Sequence, residues 1–122
     1  KKMPRATYCQ PQLASFGYTE TEAKDIGYSV KVGRFPFLAN GKALAIGESD
    51  GMVKVVVEND SGVILGAHMI GPHAGTMIAE VALAMEFGAS SEDIARTCHA
   101  HPTYTEAIKE AALAVDKRPI HY

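Results

Sequence analysis

The clearest signal for the fold of this chain lies in residues 52–70, MVKVVVENDSGVILGAHMI. Residues 52–58 and residues 63–70 are mostly apolar and rich in β-branched side chains, which is typical of strands. Residues 59–62, Asn-Asp-Ser-Gly, are types that favour a tight turn. The sequence therefore predicts an antiparallel hairpin.

A short helix is predicted before the hairpin, over residues 20–25. Thr19 and Glu22 have the Thr-x-x-Glu spacing of a capping box, in which each side chain accepts the backbone N–H of the other residue. Gly27 follows at a position where glycine commonly ends a helix in the left-handed region.

The other N-terminal segments predict strands and turns. Residues 5–9 have an extended pattern, and Pro11 ends regular pairing because proline has no N–H to donate. Residues 28–32 alternate apolar and polar side chains, which predicts a half-buried strand. Asn40-Gly41 indicates a turn, and residues 43–46 are ambiguous between helix and strand.

The next predicted helix is unusually apolar. Residues 76–87 place apolar side chains around most of a helix, with only Glu80 and Glu86 as polar breaks. Such a helix must be covered on nearly all sides. Gly88 is expected to end it.

Two further helices are predicted at the C-terminal end. Ser90 or Ser91 can cap a short helix that runs through residue 96. Thr103 is expected to begin the last helix, whose apolar side chains recur at i, i+3, i+4 and i+7. These side chains are Ile108, Ala111, Ala112 and Val115.

This order of elements describes an α+β fold, an antiparallel β-sheet packed with helices, and not alternating βαβ units. The length of 122 residues suits one domain, over residues 1–122. Neither the Rossmann G-x-G-x-x-G motif nor the Walker motif occurs, so we expect no nucleotide site within this chain.

Charge and hydropathy exclude several classes of partner. Twelve basic residues against fourteen acidic ones give a net charge of −2, with no basic run longer than two, which argues against nucleic-acid binding. No apolar stretch approaches the roughly 20 residues that cross a bilayer, so we expect a soluble intracellular protein without membrane contact.

Cysteine and histidine are the candidate metal or redox groups. Cys9 and Cys98 lie far apart and form no C-x-x-C pair, so two reduced thiols are expected unless the fold brings them together. His99 and His101 would lie on one side of an extended segment, which leaves a small metal site open. No complete ligand set accompanies them, so no metal is expected.

His101 and Glu106 are the strongest candidates for chemistry. A carboxylate that accepts from one ring nitrogen fixes the tautomer, and the other nitrogen can then take a proton from a thiol or hydroxyl. Thr103 and Glu106 also have capping-box spacing, and the residues alone favour that structural role. One glutamate is not expected to make both sets of bonds fully.

The HPTYTE segment, from His101 to Glu106 after Cys98-His99-Ala100, resembles the His-Pro-Thr-x-x-Glu motif of the flavin-dependent pyridine nucleotide-disulfide oxidoreductases. Residues 8–20, 64–75 and 117–122 resemble other parts of that family's C-terminal dimerisation domain. The resemblance covers essentially the whole chain and is greatest to the members that oxidise dihydrolipoamide.

This resemblance implies a function in a larger enzyme. The family's FAD domain, redox disulfide and NAD domain have no counterpart in the sequence, so the chain is expected to be an inactive, cofactor-free part of a homodimer. His101 would accept a proton from dihydrolipoamide beside the partner subunit's disulfide, and Glu106 would orient His101. His101 and Pro102 would border the partner's flavin, with their peptide bond cis.

The resemblance further implies that FAD and NAD+ act in the full-length enzyme. The implied partners are lipoyl groups of 2-oxo acid dehydrogenase complexes, in the bacterial cytoplasm or the mitochondrial matrix. Two alternatives stay open: the same domain of a glutathione or other disulfide reductase, which residues 98–100 disfavour, and a dimerisation module without catalytic function.

Overall fold

The computed structural model describes residues 5–7, 12–40, 42, 51–71 and 73–117. Over these ranges the chain forms a five-stranded antiparallel sheet with helices. The strands are β1 (Arg5–Thr7), β2 (Gln12–Gly17), β3 (Val30–Pro36), β4 (Met52–Glu58) and β5 (Ile64–Gly71), in the order β1-β2-β5-β4-β3. The helices are α1 (Glu20–Asp25), α2 (Ala74–Glu86), α3 (Ser91–Arg96) and α4 (Glu106–Ala114), with a 3-10 turn at Phe37–Ala39. The predicted α+β class is confirmed.

The hairpin of β4 and β5 is confirmed, and its turn is held by Glu58. The Glu58 carboxylate accepts the backbone N–H of Ser61 at 2.8 Å, the Ser61 hydroxyl at 2.7 Å and the backbone N–H of Asp60 at 3.2 Å. The Ser61 hydroxyl, ahead of the two backbone groups, lowers the pKa of Glu58 below its ordinary 4.5. Gly62 completes the turn at φ +73°.

Helices α2 and α4 cover one face of the sheet, α2 over β2 and β5 and α4 over β3 and β4. Alternate strand residues meet them there, since successive side chains of a strand point to opposite faces. The buried cluster includes Phe35, Val53, Val55, Ala67, Met77, Val81, Ile108 and Ala111. Val56 and Leu65 join Ala23 of α1 in a second cluster, and the fold therefore has core on both sides of the sheet.

The predicted caps of two short helices are confirmed. Thr19 N–H donates to Glu22 Oε1 at 3.0 Å, and Glu22 N–H donates to Thr19 Oγ1 at 3.1 Å. Ser90 caps α3 in the same way with Asp93. The apolar face of α4 is also confirmed, because its four predicted side chains are all buried.

Several boundaries differ from the predictions. The strand expected over residues 28–32 is Val30–Pro36, and the helix expected over residues 76–87 is Ala74–Glu86. Strand β2 is not predicted by the sequence patterns, because its sequence QLASFG has no β-branched residue and lies between Pro11 and the bend at Gly17. It nevertheless pairs along its whole length with β5.

The prediction that the last helix begins at Thr103 is wrong. Helix α4 begins at Glu106, because the Thr103 hydroxyl donates to the carbonyl of Ala100 at 2.7 Å and does not cap the helix. Residues 8–11, Gly41, residues 43–46 and residues 118–122 lie outside the described ranges, and so do the predictions that concern them, including Cys9. Within the described helices, none is long and apolar enough to cross a membrane.

Candidate active-site loop

The segment of residues 97–105 joins α3 to α4 and presents His101 and Pro102 at the surface. The His101 side chain is 64% exposed. The His101-Pro102 peptide bond is cis, as the sequence resemblance implied. An exposed imidazole on a loop is accessible to a group brought by another molecule.

His101 is hydrogen-bonded to Glu106. Its Nδ1 lies 2.9 Å from both carboxylate oxygens of Glu106. A carboxylate only accepts hydrogen bonds, so Nδ1 carries the proton, and in the neutral ring Nε2 keeps the lone pair. The arrangement is that of an oriented general base.

Glu106 also bonds the backbone of the loop. Its Oε1 accepts the N–H of Thr103 at 2.9 Å, a bond that holds the turn before α4, although Thr103 does not cap the helix. The expectation that one glutamate could not make both sets of bonds is therefore wrong. Two oxygens provide about four acceptor positions, which is enough for the ring and the backbone together.

The C-terminal side of the loop is anchored to the core. The Asn40 side-chain amide, which is buried, donates to the carbonyl of Thr103 at 2.9 Å. The Tyr104 ring is buried edge-on against Phe37, with ring centroids 5.8 Å apart, and it also contacts the His73 ring. The loop therefore leaves the surface at Thr103.

His99 and His101 are engaged with different partners. The His99 side chain is only 7% exposed, and its Nε2 lies 2.8 Å from Oε2 of Glu80 on α2. The structure thus does not bring the two histidines together as ligands. In the described ranges no three His, Cys, Asp or Glu side chains lie close enough together to hold a metal ion.

Cys98 is an exposed free thiol, although free cysteines are more often buried.

Two further neighbours of the loop, Asn40 and Glu80, are not indicated by sequence patterns. In the sequence Asn40 indicates only a turn, and Glu80 is only a polar break in an apolar helix. Neither residue is near the loop in sequence, so local patterns carry no signal for these contacts.

Comparison with known proteins identifies the family of the chain. A family model described as "Pyridine nucleotide-disulphide oxidoreductase, dimerisation domain" matches residues 3–112. The chain is 51% identical over 120 residues to the mitochondrial dihydrolipoyl dehydrogenase of Pisum sativum, covering 98% of this chain and 24% of that protein. It is 52% identical over 120 residues to the dihydrolipoyl dehydrogenase of Bacillus subtilis, covering 98% and 25%.

A leghemoglobin reductase of Glycine max is 50% identical over 118 residues, covering 97% of this chain and 23% of that protein. Among solved structures, the HOCl-induced flavoprotein disulfide reductase RclA from Escherichia coli superposes with a TM-score of 0.87 and 25% identity, covering 92% of this chain and 26% of that one. The chain thus spans about a quarter of the length of the relatives it matches. It belongs to the dimerisation-domain family of the pyridine nucleotide-disulphide oxidoreductases.

Proposed function

We propose that this chain acts as the dimerisation domain of a dihydrolipoamide dehydrogenase and supplies the His101–Glu106 pair to the active site of a partner subunit. The observation that carries the proposal is the exposed His101 ring, held at Nδ1 by the Glu106 carboxylate at 2.9 Å. The relatives named dihydrolipoyl dehydrogenase, at about half identity, favour this substrate over glutathione.

The chemistry assigned to this chain is proton transfer. Nε2 of His101 takes the proton from one thiol of dihydrolipoamide, and the thiolate attacks a sulfur of the partner's disulfide. The second substrate thiol displaces that sulfur, so lipoamide leaves as a disulfide and the partner's sulfurs become a dithiol. Glu106 keeps the tautomer and stabilises the imidazolium that forms.

The loop also fits a place beside a cofactor. His101 and Pro102 are both exposed, and in this proposal their main chain borders a flavin bound by a partner subunit. FAD and NAD+, held by the other domains of such an enzyme, would carry the two electrons onward. The contribution of this chain is then to keep His101 at the edge of that site.

Association as a homodimer is supported by the exposed face of α2. Leu83 is 63% exposed and Phe87 is 82% exposed, although both are large apolar residues. Together with the family's dimerisation role, these side chains favour a position for α2 in the contact between subunits. As partners we propose lipoyl groups of 2-oxo acid dehydrogenase complexes, in the mitochondrial matrix or the bacterial cytoplasm; the relatives include a mitochondrial and a bacterial dihydrolipoyl dehydrogenase.

The experiment uses a hybrid enzyme, in which this chain replaces the matching segment of the B. subtilis dihydrolipoyl dehydrogenase. Two reactions are compared: reduction of NAD+ by dihydrolipoamide, which needs thiol deprotonation, and oxidation of NADH by ferricyanide, which bypasses the thiol. We expect H101Q to lower kcat of the first reaction by at least about 100-fold and to leave the second unchanged. If H101Q has no effect in a dimeric, FAD-loaded hybrid, the chain is a dimerisation module without a catalytic role.

A further inference from the structure

His99 lies within the loop of residues 97–105, and the mechanism above does not use it. Its ring is almost fully enclosed, with 7% of the side chain exposed. Nδ1 lies 3.0 Å from the carbonyl oxygen of Thr97, and Nε2 lies 2.8 Å from Oε2 of Glu80. Both ring nitrogens therefore face acceptors.

These two contacts fix the orientation of the His99 ring relative to Glu80. The imidazolium form satisfies both hydrogen bonds, and a neutral ring satisfies only one of them. A hydrogen bond between a ring N–H and a carboxylate is charge-assisted, and the distance between Nε2 and Oε2 of Glu80 is 2.8 Å. The ring is thus fixed at both ends, once to its own loop and once to helix α2.

The two ends of this link have different functions in the proposed enzyme. His99 lies two residues before His101 on the loop. Glu80 lies on α2 three residues before Leu83, on the same side of the helix, and seven residues before Phe87, which directly follows the helix. The contact therefore joins the loop that bears the base to the helix face that we place at the subunit contact.

We infer that Glu80 and His99 form a positioning pair that fixes the position of His101 relative to the partner subunit's active site. The inference rests on the function proposed above. Asn40 anchors the loop after His101, through the carbonyl of Thr103, and the Glu80–His99 pair anchors it before His101. With one anchor on each side, the loop cannot shift without breaking a bond.

The effect on rate follows from geometry. A displacement of about 1 Å in a catalytic group can lower a rate by about 100-fold, so loss of one of two anchors is expected to lower the thiol-dependent kcat by about tenfold. The KM for NAD+ and the bypass oxidation of NADH by ferricyanide are expected to stay within about twofold, because neither uses His101.

The test uses the same hybrid enzyme with H99Q and, separately, E80Q. E80Q changes a side chain at the surface of α2, which is 31% exposed, and so tests the pair even if H99Q does not fold. The matched control is D25N, which removes the charge of an exposed carboxylate on α1, outside the loop and outside α2. Dimer content and bound FAD are measured for each variant.

A positioning residue acts through the residue that it positions. We therefore expect H99Q to lower the thiol-dependent kcat about tenfold when His101 is present, and less than about twofold in the H101Q background. The double variant H99Q/E80Q is expected to be no slower than the slower single variant. D25N is expected to match the unmodified hybrid.

Two results would overturn the inference. One is a thiol-dependent kcat within about twofold of the unmodified hybrid for both H99Q and E80Q, while H101Q remains strongly impaired. The other is a parallel fall of both reactions with FAD content, which indicates a structural role only. Failure of the proposed function has a different signature, namely an H101Q variant with unchanged turnover.

Discussion

Glu106 bonds both the His101 ring and the backbone of the loop, two roles that the sequence alone presents as alternatives. Its carboxylate accepts from His101 Nδ1 and from the N–H of Thr103, each at 2.9 Å. The first bond serves the proposed chemistry, and the second holds the turn before helix α4. Substitutions that keep one bond and remove the other can separate the two tasks.

E106Q is expected to lower the rate and keep the stability. A glutamine oxygen in the Oε1 position can still accept the Thr103 N–H, but the amide NH2 then takes the Oε2 position, 2.9 Å from His101 Nδ1, where a donor opposes the ring N–H and favours the tautomer with its proton on Nε2. We expect the thiol-dependent kcat of the hybrid to fall by at least about tenfold, because a ring in the wrong tautomer cannot act as the base. The free energy of unfolding of the chain, from urea denaturation, should change by less than about 0.5 kcal/mol.

E106A is the matched comparison, because it removes both bonds. We expect it to lose activity similarly and also about 1 kcal/mol of stability, the usual net contribution of a hydrogen bond. Full activity of E106Q would contradict the assigned orientation of His101.

At the scale of elements, the turn of the β4–β5 hairpin predicts a dependence of stability on pH. The folded-state pKa of Glu58 lies below its ordinary 4.5, mainly because of the Ser61 hydroxyl. A lowered pKa means that this contribution to stability is present above pH 4.5 and is lost as pH falls through the lower folded-state value.

The measurement is the Tm of the chain and of E58Q between neutral and acidic pH. E58Q is expected to melt at a lower temperature at pH 7, and the difference should shrink as the pH falls below 4.5. E86Q serves as the control, since Glu86 is an exposed carboxylate outside this turn. A difference in Tm that stays constant with pH would contradict the role of the Glu58 carboxylate.

The packing of α4 on β3 depends on Gly33. A Cβ at this position would collide with the carbonyl oxygen of Ala111 and lie 2.7 Å from the nitrogen of Val115, both of them backbone atoms. G33A is therefore expected to destabilise the chain by about 3 kcal/mol in urea denaturation, since α4 must move away from the sheet.

G88A provides the comparison for G33A. Gly88 has φ +67°, and a Cβ added there would meet no atom of the described residues within 4 Å, so only backbone strain of about 1 kcal/mol is expected. Equal losses in the two variants would show that α4 does not approach β3 closely at Gly33.

At the scale of the whole molecule, sequence patterns predict the elements that carry their own local signal. The hairpin, the capped helix α1 and the apolar face of α4 depend on turn residues, caps and periodicity, all within a few residues. Strand β2 escapes such patterns because its sequence has no β-branched residue, and of its two partners β5 is distant in sequence. The start of α4 is misplaced by the pattern because Thr103 bonds the carbonyl of Ala100.

The contacts of the site also divide into those with a local signal in the sequence and those without one. His101 and Glu106 are five residues apart, and their contact could be predicted from spacing and from the family motif. The contacts of Asn40 with Thr103 and of Glu80 with His99 join residues 63 and 19 positions apart. Only the folded sheet and helix α2 bring them to the loop.

In the proposed enzyme, His101 serves the disulfide of the other subunit. Mixed dimers of the hybrid test this directly, with H101Q in one subunit and a serine in place of a disulfide cysteine in the other, purified through two different tags. Each homodimer should be inactive with dihydrolipoamide. If His101 acts across the dimer, the mixed dimer has one complete site and about half of the unmodified activity. A mixed dimer as inactive as its parents would show that His101 acts within its own subunit and would contradict catalysis across the dimer.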